Sequence, residues 1–198
     1  MAERGERKTG GAGNGGLPDF ELEITGQRWV TEEPGSASED LCSHGDIRLV
    51  IGGTVIAPGD GRGDYTISTS ALALLRTLEM DSASGPDADS QLILCCGTIL
   101  MTSCPIGIYW SVTHAGGRVR LADVALCGQV GSILEFPDLS VDLVEDEYRR
   151  RIVAFAQTAK EPFAGIEKVI HEDWEREVYR EFWREYDARL DRAVEHAG

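Results

Sequence analysis

Between Ser90 and Gly117 the chain carries no Asp, Glu, Lys or Arg, although 27% of its residues are charged. Most of that stretch is apolar: Leu92-Ile93-Leu94-Cys95-Cys96, Ile99-Leu100-Met101, then Ile106-Gly107-Ile108-Tyr109-Trp110-Ser111-Val112. A run of this length must be buried, in a bilayer or in a protein core, and the choice fixes the class of protein. About 20 apolar residues cross a bilayer as a helix, so length permits a membrane segment. Composition argues against one. Pro105 would cost a helix interior about 3 kcal/mol, and Gly97, Ser103 and Gly107 interrupt the run further. Its second half is dominated by Ile, Thr, Tyr and Trp, which suit strands. The run reads as core sheet of a soluble protein, with no membrane association.

A hairpin signal ends it. Gly116-Gly117 supplies two residues that tolerate the positive φ values of a type I′ turn. With a two-residue loop, Ala115 faces Arg118 and Val112 faces Leu121. A one-residue slip would set Val112 against Arg120 and exchange the faces, so the apolar pattern selects the tight turn.

The 198 residues suffice for one domain with a proper core plus a tail. Met1–Gly16 is charged and glycine-rich, with no apolar segment of a secretory signal, and is expected to be disordered. The domain then covers 17–198. Five cysteines without motif spacing agree with reduced thiols and a cytoplasmic location. The formal net charge is −15, from 34 acidic and 19 basic residues. Nucleic-acid binding requires phosphates to be neutralised, so it is not expected, nor are anionic membranes. Such a charge suits a basic protein partner.

Along the chain, Phe20–Thr25 alternates as an amphipathic strand and Ile47–Ile51 forms another, closed by Gly52-Gly53. Thr54–Ile56 continues it or returns as a hairpin. Tyr65–Ile67 is a short strand, and a helix capped by Ser68 or Ser70 carries Leu72, Leu75 and Leu78. Further strands are expected at Leu92–Met101, Ile106–His114, Arg118–Leu126 and Leu139–Leu143. Two helices close the chain, at about 145–161 and 171–195. Consecutive strands with helices gathered at the end indicate an α+β fold, a mostly antiparallel sheet covered by helices.

Candidate chemistry is sparse. Cys42 and His44 form the most ligand-like pair, with Cys96, Cys104 and His114 as completions. Structural zinc sites usually show a second close pair, which is missing, so no metal or other cofactor is expected. Asp123 falls opposite Trp110 in the two-residue register, on the face of Ile108, Val112 and Leu121. A carboxylate there needs a partner, or its pKa rises until it is neutral. It could act as a general acid or base with His114, or simply accept the indole N–H of Trp110 or a backbone amide beyond a bulge. Arg62-Gly63-Asp64 spells an adhesion tripeptide by chance. His171-Glu172-Asp173-Trp174-Glu175 begins like a zinc-protease helix and lacks the second histidine.

The last helix is the best interaction surface. Trp174, Val178, Phe182, Tyr186, Leu190 and Val194 recur every fourth residue, broadened by Tyr179 and Trp183. Rows of ion pairs flank them, such as Asp173–Arg176, Glu181–Arg184 and Glu185–Arg189. A stripe in steps of four drifts by about 40° per step, so one flat sheet cannot cover it all. Tyr179, Trp183 or Tyr186 should therefore be partly exposed and available to a partner. The leading expectation is a non-enzymatic binding or regulatory protein that engages a protein partner, or itself, through this helix. The alternative is a metal-binding protein or enzyme using Cys42/His44 or Asp123/His114.

Overall fold

Alternating apolar residues in the first half of the chain build one antiparallel sheet, and those of the second half build another. The structure, a computed structural model, describes residues 16–30, 33, 35–85, 90–95, 104, 106–128 and 132–196. In chain order these form β1 (Phe20–Arg28), α1 (Ser36–Glu39), β2 (His44–Ile51), β3 (Thr54–Pro58), β4 (Tyr65–Thr66) and α2 (Ile67–Arg76). Then come β5 (Ile93–Leu94), β6 (Gly107–Ala115), β7 (Arg118–Cys127), β8 (Ile133–Phe136) and β9 (Val141–Val144). Helix α3 (Glu145–Lys160), a short 3₁₀ turn (Glu161–Phe163) and α4 (Asp173–Glu195) end the chain. The first sheet has the order β1-β2-β3, with β4 also on β2; the second has the order β5-β6-β7-β8, with β9 also on β7. The fold is α+β as expected, with two sheets where the sequence suggested one.

Gly116 and Gly117 take φ of 58° and 75°, and Val112 pairs with Leu121, the register selected by the apolar pattern. Thr54–Pro58 returns as a hairpin on β2. The apolar run contributes β5 and β6, and no described helix is long and apolar enough to cross a membrane. Residues 96–103, most of the expected strand Leu92–Met101, lie outside the described residues, as does the glycine-rich tail apart from Gly16.

One cluster of buried side chains draws on both sheets and on α2, α3 and α4. Trp110, Tyr148 and Tyr186 are its largest fully buried members. The N-terminus of α2 joins the sheets through buried hydroxyls. The Ile67 N–H donates to Ser43 O (2.8 Å), and the Ser43 N–H donates to Ser68 Oγ (3.2 Å). The Leu94 N–H donates to Ser70 Oγ (3.0 Å), while Thr66 Oγ1 donates to Leu94 O (3.2 Å). Each such bond contributes about 1 kcal/mol net, and leaving its buried groups unpaired would cost more. These serines and this threonine therefore set where β5 meets β4.

Helix α4 is clamped to α2 by ions. Arg76 donates to both oxygens of Glu185 (2.8 Å each), and Arg189 Nε donates to Glu185 Oε1 (2.8 Å). The Arg76 hydrogen bond, outweighing the opposing effect of burial, holds the Glu185 carboxyl down at about 2 against an ordinary 4.5. A folded-state pKa below the unfolded value stabilises the fold above pH 4.5, and this contribution disappears as pH falls from 4.5 towards about 2. We expect Glu185→Gln to flatten that part of the acid-denaturation curve, read by far-UV circular dichroism; an unchanged curve would place the acid sensitivity elsewhere.

Candidate functional site

The floor of the candidate site is made where α3 stops. Pro162 has no N–H to continue the helix, so the chain tightens into the 3₁₀ turn Glu161–Phe163 and reverses at Gly165, whose φ is 75°. This turn throws Phe163 against Trp183 of α4, with ring centroids 4.7 Å apart and nearly edge to face. Trp183 also meets Phe182 (5.1 Å), Tyr186 (5.0 Å) and Tyr179 (6.2 Å). On its other side Phe163 meets Trp29, just beyond β1, at 4.9 Å. Lys168 closes this end of the aromatic row. Its ammonium lies 3.8 Å from the Trp29 ring centre and 4.9 Å from that of Phe163, and donates to Ala37 O and Asp40 O (2.5 Å each). Burial lowers its pKa to about 8, with the charge of Asp40 opposing.

Above this floor α3 and α4 leave an open groove of about 630 Å³, lined by Phe163, Ala164, Tyr179, Trp183 and Leu190, with a polar rim. On the rim Lys160 Nζ donates to Asp187 Oδ1 (2.6 Å), bridging the two helices. Burial raises the Tyr179 phenol above its ordinary value, and the Trp183 indole beside it acts in the opposite direction. That indole N–H is buried and meets no acceptor in hydrogen-bond geometry among the described residues. The groove thus offers aromatic faces, a phenol and a rim of mixed charge.

The four-residue stripe behaves as its drift requires. Trp174 at one end is 57% exposed and Val194 at the other 44%, while Phe182, Tyr186 and Leu190 between them are buried. Tyr179 and Trp183 are half-buried and line the groove. Tyr186 is not available to a partner: it is fully buried, and its hydroxyl donates to Ala156 O of α3 (2.7 Å). Of the expected ion pairs, Asp173–Arg176, Glu181–Arg184 and Glu185–Arg189 form.

Cys42 and His44 do come together, with Sγ 3.7 Å from Nε2. His44 Nδ1 lies 3.8 Å from Asp64 Oδ1, which also accepts from Arg28 (2.7 Å). Burial, helped by Asp40, pushes the Cys42 thiol up to about 12. Burial likewise lowers the His44 pKa, with Asp64 opposing. A protonated thiol is a poor nucleophile and a poor metal ligand. Among the described residues no three His, Cys, Asp or Glu side chains cluster to hold a metal ion.

Asp123 and His114 are not brought together. Tyr109 pairs with Ala125 and Ser111 with Ala122, so Trp110 faces two residues, Asp123 and Val124. The extra residue is a β-bulge, and Asp123 adopts a φ of 50°, a left-handed conformation that Asp tolerates better than most residues. The bulge turns its carboxylate out of the core. There it is exposed and accepts from Ser111 Oγ (2.7 Å), while Val124 takes the buried position beside Trp110. His114 has the parity of Trp110 and Val112, opposite to Ser111, and pairs with Asp81. That carboxylate accepts the His114 backbone N–H (2.8 Å) and contacts Nδ1 (3.0 Å). The bulge had a sequence signal: the inward apolar positions of β7 change phase, from Val119 and Leu121 to Val124 and Leu126.

Phe163 and Ala164 at the groove, and Trp29 behind Phe163, were not anticipated, since nothing local links them to α4. Comparison of the chain with protein-family models, with curated proteins and with solved structures found no match.

Proposed function

We propose that this chain is a cytosolic, acidic binding or regulatory protein that takes a basic segment of a partner protein into the groove between α3 and α4. The observation that carries this reading is the groove's construction: half-buried Tyr179, Trp183 and Phe163 form its floor, within about 630 Å³. Aromatic side chains in partly desolvated pockets are the usual anchors of protein interfaces. A volume of this size lies within the roughly 300–1,000 Å³ of typical binding clefts. An apolar side chain of the partner would enter between Trp183 and Ala164.

Charge selects the partner. The chain carries a formal −15, and at the rim Glu161 and Asp187 outnumber Lys160. A second copy would bring another −15 and be repelled, whereas a segment with arginines or lysines around its anchor would be steered in. The buried thiols of Cys42 and Cys127 suit a reducing compartment.

A random-peptide display selection against the full chain tests this. Enriched peptides are expected to carry an aromatic or aliphatic residue flanked by arginine or lysine. They should lose binding to Ala164→Trp, which fills the groove from an exposed position and leaves the core alone. Enrichment of acidic peptides, or equal binding to Ala164→Trp, would overturn the proposal, and so would self-association that Ala164→Trp abolishes.

A further inference from the structure

A second cavity, of about 200 Å³, lies where the end of α2 meets α3 and the last turns of α4, and its chemistry differs from that of the aromatic groove. Its walls include Arg149, Arg189, Arg192 and His196, with Glu79 as the carboxylate among them. We propose that this cavity is a binding site for a phosphate group, either the free ion or a small monoester.

Three observations converge. Cations outnumber carboxylates in a chain that is otherwise strongly acidic. Arg189 and Arg192 both donate to Glu79, Arg189 also reaches Glu185, which Arg76 holds as well, and Arg149 donates to Glu145 (2.9 Å). Three guanidinium groups, those of Arg149, Arg189 and Arg192, thus line the cavity against one carboxylate, that of Glu79. Next, Arg149 is only 13% exposed at its side chain, and its buried Nε–H meets no acceptor among the described residues. A buried guanidinium donor without a partner is a site where an anion gains a charge-assisted hydrogen bond. Lastly, the guanidinium forks come from two different helices, which suits the several oxygens of a tetrahedral phosphate, and the volume suits a small ion. Glu79 occupies two of the forks and competes with an incoming anion. His196 donates Nδ1–H to Arg192 O (2.7 Å), so its Nε2 can face a ligand when protonated.

Calorimetric titration of the full chain with inorganic phosphate, at constant ionic strength in sodium chloride, tests the site. Saturable binding to one site is expected. Arg149→Gln should weaken it about tenfold or more, the loss of one charge-assisted contact, and Glu79→Gln should tighten it. Arg192→Gln, at a half-exposed position, should also weaken binding and carries the test if Arg149→Gln does not fold by circular dichroism. A parallel titration with glycerol phosphate identifies the source. Binding of both assigns the site to a monoester, and binding of inorganic phosphate alone assigns it to the free ion. Absence of saturation in the unmodified chain, or affinity unchanged in the folded arginine variants, would overturn the proposal.

Discussion

Replacing Gly45 with alanine is expected to cost about 3 kcal/mol or more, at or above the upper end of ordinary overpacking penalties. A Cβ at Gly45 would stand 1.8 Å from the carbonyl oxygen of Gly26 and 2.9 Å from its carbon, both of them backbone atoms that no rotamer change can move aside. The contact arises because the pairing of β1 with β2 shifts between Ile24 and Gly26, which presses the two strands together at Gly45. Relief would require the far half of β1, up to Arg28, to leave its partner. Trp29 follows directly, so the aromatic row beneath the groove would lose one end. Gly26→Ala is the control. It alters the other side of the same contact, but its Cβ would meet nothing within 4 Å, and an effect within about 0.5 kcal/mol is expected. Denaturant unfolding of the two variants decides: equal losses would mean that the strands do not approach in this way.

Tyr186→Ala should be of similar size, about 3–5 kcal/mol, as for other large buried aromatics. The ring is fully buried between α3 and α4 and touches Phe182 and Trp183. Its hydroxyl donates to Ala156 O, so truncation leaves a cavity and removes this hydrogen bond as well. Tyr186→Phe separates these terms, because it keeps the ring and loses only the hydrogen bond, about 1 kcal/mol. Near-equal losses for Ala and Phe would show that the ring is not packed as described. The phenol's burial, together with Asp187, raises its pKa, so the hydroxyl remains a donor across the ordinary pH range.

Tyr186 also shows how far sequence reasoning reaches. The drift of the α4 stripe follows from helix geometry, and the exposed Trp174 and Val194 with buried centre agree with it. Which aromatics stay open depends on where α3 lies, and no local pattern contains that. The Gly116-Gly117 turn was legible because it is settled by two residues and the apolar alternation beside them. The same alternation misplaced Asp123, since one bulged residue reverses the faces of everything counted past it. Helix α1 and strand β8 span four residues each, too few for a period to emerge. The groove needed Trp29, Phe163 and Trp183 to meet from β1's end, the α3 turn and α4. The Cys42–His44 contact was legible from spacing alone, but the burial that keeps the thiol protonated was not.

The proposed seating of a partner's apolar anchor in the groove floored by Trp183 is reported directly by the indole N–H of Trp183. The measurement is a heteronuclear NMR titration of the full chain with a basic peptide recovered by display, following the four indole resonances, one for each tryptophan. A saturable shift is expected at Trp183, with Trp110, buried in the core, unmoved and the response absent in Ala164→Trp. A Trp183 signal that stays fixed while the peptide binds would contradict it.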